Sequence, residues 1–194
     1  MGDKPLRADA RRNRERVLAA AEDVFAAKGT SASTEEVARQ AGVGIGTVFR
    51  HFPTKEALLE AVLLRRLTGL VDEARSLVDA EDRGAAFFGF LAHVVEQSAA
   101  KITFADAVAA AGIDVRSIAE PVGRELLDAL GVLLRRAQEA DIVRRDVAVP
   151  EVHALLVGVS RAAELAGWDR EVRDRSLSIV FDGLRRSRSH DHLN

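Results

Sequence analysis

Apolar positions along this chain recur at helical spacing from end to end, and no stretch shows the two-residue alternation of a half-buried strand. Val17, Ala21, Val24 and Phe25 form one face of a first predicted helix over 10–28. Ser33, with Glu36 three residues on, is the capping-box start of a second helix that would bury Val37 and Ala38. Gly42 after Ala41 marks a stop through the left-handed conformation, and Val43 plugs the turn. A third helix then runs from Gly44 or Ile45 to His51, burying Val48 and Phe52 while Ile45, Thr47, Phe49, Arg50 and His51 face outward. Pro53 ends it, because proline disfavours helix in the residue before it and has no N–H to donate; Thr54 caps the next helix.

The helical pattern continues. Over 55–80, Leu63, Leu67, Leu70, Ala74 and Leu77 repeat at four-three spacing along one stripe. Residues 84–100 carry Phe87, Phe88, Phe90, Leu91, Val94 and Val95; a short segment at 103–111 and a break at 112–114 follow. Pro121 reads as a first-turn residue of a helix running to about 140, whose apolar side chains spread over more than one face. Pro150 opens another helix to about 167, Asp169 caps or begins the last one, ending near 188, and a disordered tail is expected at 189–194. The predicted class is all-α.

Two short helices joined by a tight glycine-bearing turn are the pattern of a helix-turn-helix, here at about 33–52, which places its second helix in the DNA major groove. The net charge of −2 opposes that until it is divided. Residues 1–66 carry 12 Lys and Arg against 9 Asp and Glu, and residues 67–194 carry 16 against 21, so the two parts stand at +3 and −5. Lys4, Arg7, Arg11, Arg12, Arg14 and Arg16 crowd the start, an arm that can neutralise phosphates or enter a minor groove; the other reading for Lys4 and Arg7 is a solvated tail. With 194 residues and 47% hydrophobic content the chain can build one sizeable core or two modest ones. It has no cysteine, which excludes disulfides, thiolate metal sites and a catalytic thiol. The N-terminus lacks the apolar core of a signal peptide and no apolar run is long enough to span a bilayer, so a cytoplasmic protein without a membrane partner is expected. His93 and Glu96 lie three apart but no second pair completes a metal site, His190 and His192 fall in the tail, and Ser98 and Ser160 carry no sign of an activated nucleophile. No enzyme, cofactor or metal is expected.

Val17 to Ala21, Phe25, Lys28-Gly29, Val37-Ala38, Ala41-Gly42-Val43, Gly46-Thr47-Val48-Phe49, His51-Phe52 and Lys55 to Leu59 closely resemble the DNA-binding domain of the TetR family, over roughly 11–62. The resemblance implies an arm and helix-turn-helix domain over 1–54, joined by a long helix to a helical effector-binding and dimerisation domain over 55–188. Two departures stand out. Phe49 replaces a frequent tyrosine and Gly44 a frequent capping serine, and each removes a possible phosphate donor.

The candidate DNA-binding residues are Arg12, Ser33, Thr34, Gly44, Ile45, Gly46, Thr47, Phe49, Arg50, His51 and Lys55. Small residues at the start of the recognition helix let the backbone approach DNA. Thr47 and Arg50 would reach base edges or nearby phosphates, Arg50 pairing with guanine, while Phe49 touches a thymine methyl or sugar. By resemblance, His51 and Lys55 clamp the backbone, as do Ser33 and Thr34 at the preceding helix start. The family also implies a symmetric dimer through the last two helices, with Val152, Leu156, Val159 and Ala163 on one stripe and Val172, Ile179, Val180 and Leu184 on the other. Phe87, Phe88, Leu91, Phe104, Val108, Leu126, Leu130 and Trp168 are the candidate pocket lining for an apolar or amphipathic small molecule. The expected function is a dimeric regulator, a repressor released from a palindromic operator in double-stranded DNA by an unidentified small-molecule effector. The alternative is a helical DNA-binding or interaction protein without one.

Overall fold

A computed structural model describes residues 3–99, 108 and 110–186. Among them are eight α-helices: α1 (Asp3–Lys28), α2 (Thr34–Ala41), α3 (Ile45–His51), α4 (Lys55–Ser76), α5 (Arg83–Ala99), α6 (Val115–Glu139), α7 (Val149–Ala166) and α8 (Arg170–Leu184). The all-α class is as predicted; the extended pairing among described residues is a single isolated bridge between Val143 and Arg185. The described residues divide into two compact units, one of 3–67 with 108 and 110–120, the other of 68–99 with 121–186.

In the N-terminal unit, Val17, Ala21, Val24 and Phe25 of α1 meet Val37, Ala38 and Ala41 of α2 and Val48 of α3. Leu58, Leu59 and Val62 of α4 are buried in the same core. The unit therefore extends to Leu67, past the boundary expected at 54, because the first turns of α4 are apolar on the side that α1 covers. Arg65 to Glu15 (2.6 Å) and Arg66 to Glu22 (2.8 Å) also tie α4 to α1. Val108, expected in the pocket, is buried in this core instead. The first helix starts at Asp3 rather than at 10. Pro5 falls in its first turn, where a missing N–H breaks no intrahelical bond.

Phe87, Phe90, Leu91 and Val95 of α5 build the core of the C-terminal unit with Leu130, Leu133 and Leu134 of α6, Val152 and Leu156 of α7, and Leu177 and Leu184 of α8. Pro121 lies inside α6, not in its first turn. The helix begins earlier because Asp114, a cap-forming residue type, precedes Val115, and the Ile118 N–H bonds to the Asp114 carbonyl at 3.3 Å. Glu151 accepts from the Ala148 N–H at 3.0 Å where α7 opens, and Asp169 accepts from the Val172 N–H at 2.9 Å where α8 opens. Gly167 between them adopts φ 59°, and the Trp168 N–H closes on the Ala163 carbonyl at 3.0 Å.

The stripes expected at a dimer interface need correction. Val152 is 0% exposed, and Leu156, Ala163 and Leu184 are also buried within the chain's own fold. Val159 and Val180 are half-buried against the core, so of the expected set only Val172 and Ile179 are exposed. The cause is that α7 and α8 are apolar on two faces, and periodicity alone does not say which one turns inward. The outward apolar residues are Leu155, Val157, Leu165, Val172 and Ile179. Of the pocket candidates, Phe87, Phe88, Leu91 and Leu130 are packed in the C-terminal core with Leu126 at its edge. Trp168 is half-buried, and Phe104 lies outside the described residues.

Candidate nucleic-acid interface

The helix-turn-helix is held by local contacts that follow from its sequence. Ser33 Oγ accepts from the Glu36 N–H at 3.2 Å, and Glu36 Oε2 accepts from the Ser33 N–H at 3.2 Å, which closes the capping box. Lys28 pairs with the other oxygen of Glu36. That hydrogen bond, followed by the one from the Ser33 backbone, holds the Glu36 carboxyl below its ordinary 4.5. At the far end of α2, Gly42 adopts φ 64° and ψ 40°, and its N–H reaches the carbonyls of Ala38 and Arg39. A residue with a Cβ is strained there. Gly44 then precedes α3 in extended conformation with no side-chain cap, and the Thr47 N–H bonds to its carbonyl at 2.8 Å.

Burial of Val48 on α3 and Phe52 just after it sets which side of α3 faces solvent. Ile45 is 38% exposed and Phe49 44%, unusual for side chains of that size. Arg50 is exposed beside them and makes no ion pair with another described residue. A Cβ at Gly44 or Gly46 would meet nothing within 4 Å, so this surface is open to close approach. Thr47 and His51 are half-buried, with the His51 ring 6.3 Å from that of Phe52. Lys55 opens α4 half-buried, and Thr54 Oγ1 accepts from the Ala57 N–H at 3.1 Å. Thr34 is buried, with its hydroxyl 3.4 Å from Glu35.

The basic arm is not uniform. Arg12, the arm's DNA candidate, is exposed but paired with Asp9. The Arg14 guanidinium lies 5.2 Å over the Phe52 ring. Arg16 turns back onto the carbonyls of Ala41 and Gly42. Arg11 is exposed without an ion pair to another described residue. Nothing in the local sequence separates Arg16 from its neighbours, since its role depends on how α1 packs against α2. The surface thus combines an outward α3, carrying a cation unpaired among the described residues and small residues at its start, with further cations on the exposed side of α1, an arrangement able to meet a polyanion.

Residues 17–62 match the family described as bacterial regulatory proteins, tetR family, and residues 82–186 match the one described as transcriptional regulator SbtR-like, C-terminal domain. The chain belongs to the TetR family. Its structure is similar to that of a TetR transcription regulatory protein from Mycobacterium vanbaalenii, with a TM-score of 0.79 and 44% identity, covering 93% of this chain and 99% of that one. A TetR transcriptional regulator from Streptomyces coelicolor gives 0.77 and 32%, covering 90% and 99%. The HTH-type transcriptional regulator SrpR of Pseudomonas putida is 45% identical over 60 residues, which is 30% of this chain and only 28% of SrpR. This TetR-family chain is a transcriptional regulator with a DNA-binding helix-turn-helix and a C-terminal domain, and not an enzyme. No helix among its described residues is long and apolar enough to cross a membrane.

Proposed function

We propose that the protein acts in the cytoplasm as a homodimeric repressor that binds a palindromic operator and leaves it when a small apolar or amphipathic ligand enters the C-terminal unit. The outward face of α3 carries this reading: Arg50 unpaired among described residues, flanked by Thr47 and Phe49, on a helix whose opposite side is fixed by Val48 and Phe52. Arg50 reads a guanine through its bidentate donors, Thr47 contacts a base edge or phosphate, and Phe49 packs on a thymine methyl or sugar. His51, Lys55 and Ser33 hold the phosphate backbone, with Arg12 and Arg11 on the arm side, while the buried Thr34 offers only its backbone N–H at the start of α2. Gly44, Ile45 and Gly46 let the start of α3 approach closely.

One such helix reads one half-site. Two, held by a rigid dimer, read half-sites one DNA turn apart, roughly 34–36 Å. The apolar residues exposed on α7 and α8 support that dimer: Leu165 is 87% and Ile179 69% exposed in the single chain, and Leu155 and Val172 are exposed on the same two helices. A ligand releases DNA only if it binds the two states of the dimer with unequal affinity. The effector-free alternative draws support from Phe87, Phe88, Leu91 and Leu130, which are buried together in the C-terminal core.

Selection of bound duplexes from a randomised DNA pool tests the operator claim. Enrichment of an inverted repeat with half-sites about 10 base pairs apart supports it, and enrichment of single, unrepeated sites rejects it. Sedimentation at micromolar concentration tests the dimer; a monomer that still protects a palindrome overturns it.

A further inference from the structure

Arg16 directly precedes the buried Val17 on α1, and its side chain crosses to the end of α2. Its Nη2 donates to the Ala41 carbonyl at 2.6 Å and reaches the Gly42 carbonyl at 3.4 Å. Those carbonyls lie where the first helix of the helix-turn-helix stops and the chain turns toward α3. The last carbonyls of a helix have no intrahelical donors and form the negative end of its dipole, so a guanidinium answers both needs together. A Cβ at Gly42 would come within 2.8 Å of Arg16 Nη2, the movable end of a long side chain, so it is the positive φ that calls for glycine there.

We propose that Arg16 is a positioning residue for DNA recognition, fixing the α2–α3 turn and so the direction in which α3 leaves it, and is not one of the arm's phosphate contacts. α3 has seven residues and buries only Val48. So short a helix takes its orientation largely from the turn before it, and base readout tolerates errors of only about 10–20°. Arg16 directs its Nη2 to two backbone carbonyls, whereas Arg11 and Arg50 make no ion pair with another described residue.

The proposal rests on the DNA-binding reading of this unit, and one experiment separates the two. The full chain and its Arg16→Met, Arg16→Gln and Arg16→Lys variants are titrated, at several salt concentrations, with a duplex enriched from the randomised pool and with a scrambled duplex of the same length. Failure of the unaltered chain to enrich any duplex rejects the DNA-binding reading itself. If that reading stands, Arg16→Met weakens the enriched duplex about tenfold, as expected for a lost charge-assisted bond. It leaves the scrambled duplex within about twofold and the salt slope unchanged, because no phosphate contact has gone. Arg16→Lys, whose ammonium still reaches a carbonyl, recovers most of the loss. Parallel weakening of both duplexes with a salt slope shallower by about 1 makes Arg16 a phosphate contact and overturns the proposal. So does loss on both duplexes in step with the unfolded fraction seen by thermal melting, or no loss on either. Should the Met variant fail to fold, the Gln variant carries the same readings.

Discussion

Glu36 joins the second helix to the first. It accepts from the Ser33 N–H and pairs with Lys28, and these contacts hold its carboxyl below the ordinary 4.5. A folded-state pKa lower than the unfolded one adds stability that is complete above pH 4.5 and is lost as pH falls through the lowered value. Glu36→Gln should therefore flatten the acid side of the stability curve below pH 4.5, read from denaturant midpoints; acid limbs that stay parallel would show that the carboxylate does not matter. Ser33→Ala removes the other half of the box and should cost about 1 kcal/mol. Arg50→Ala should relax preference at one base of the enriched site and cost roughly 1–3 kcal/mol, and an unchanged preference profile would reject its role. The capping box was legible in the sequence because its partners are three residues apart. The separate roles of Arg14 and Arg16 were not, because their partners Phe52, Ala41 and Gly42 are remote in the chain.

Among the elements, α3 and α6 show what a single backbone position does. Gly44 precedes α3 in extended conformation with open space around it and offers no capping oxygen. Gly44→Ser should stabilise the unit by a few tenths of a kcal/mol, seen as a raised denaturant midpoint with an unchanged slope. Pro121 interrupts the hydrogen bonding of α6 at the place where the two compact units divide. Replacing it with alanine restores an N–H donor and removes the ring's clash with the turn before it, a gain of about 3 kcal/mol, less up to about 1 kcal/mol for freeing the unfolded chain. A net gain of about 2 kcal/mol should follow in chemical denaturation. A destabilised variant would mean that the surroundings of Pro121 have adapted to the proline ring. Sequence reading placed Pro121 in a first turn because proline favours that position. The helix instead starts at Val115, six residues before Pro121.

At the scale of the molecule, burial decides which apolar face is free to associate. Leu165 and Ile179 protrude from α7 and α8, while Val152 on α7 is 0% exposed. Leu165→Glu combined with Ile179→Glu should leave the unfolding free energy of the single chain within about 0.5 kcal/mol per site, as surface changes do. The pair should also turn a dimer into a monomer in sedimentation and weaken the enriched palindrome by about a hundredfold or more, through loss of bivalency. Val152→Asp should instead unfold the C-terminal unit, since it buries an unpaired charge. A double variant that stays dimeric would move the interface elsewhere.

The sequence by itself determined the helical class, the capping box, the glycine stop at Gly42 and the outward facing of Ile45, Phe49 and Arg50 on α3. Each rests on interactions between residues within a few positions of one another, where propensity and periodicity act. The tertiary structure alone decided that the first part of α4 and Val108 belong to the N-terminal core, and that Val152, Leu156, Ala163 and Leu184 face inward. It also turned Arg16 onto the end of α2. Those outcomes depend on which face of one helix meets which face of another. Where a helix is apolar on two sides, or a cation has several carbonyls within reach, local chemistry leaves the choice open and only packing closes it.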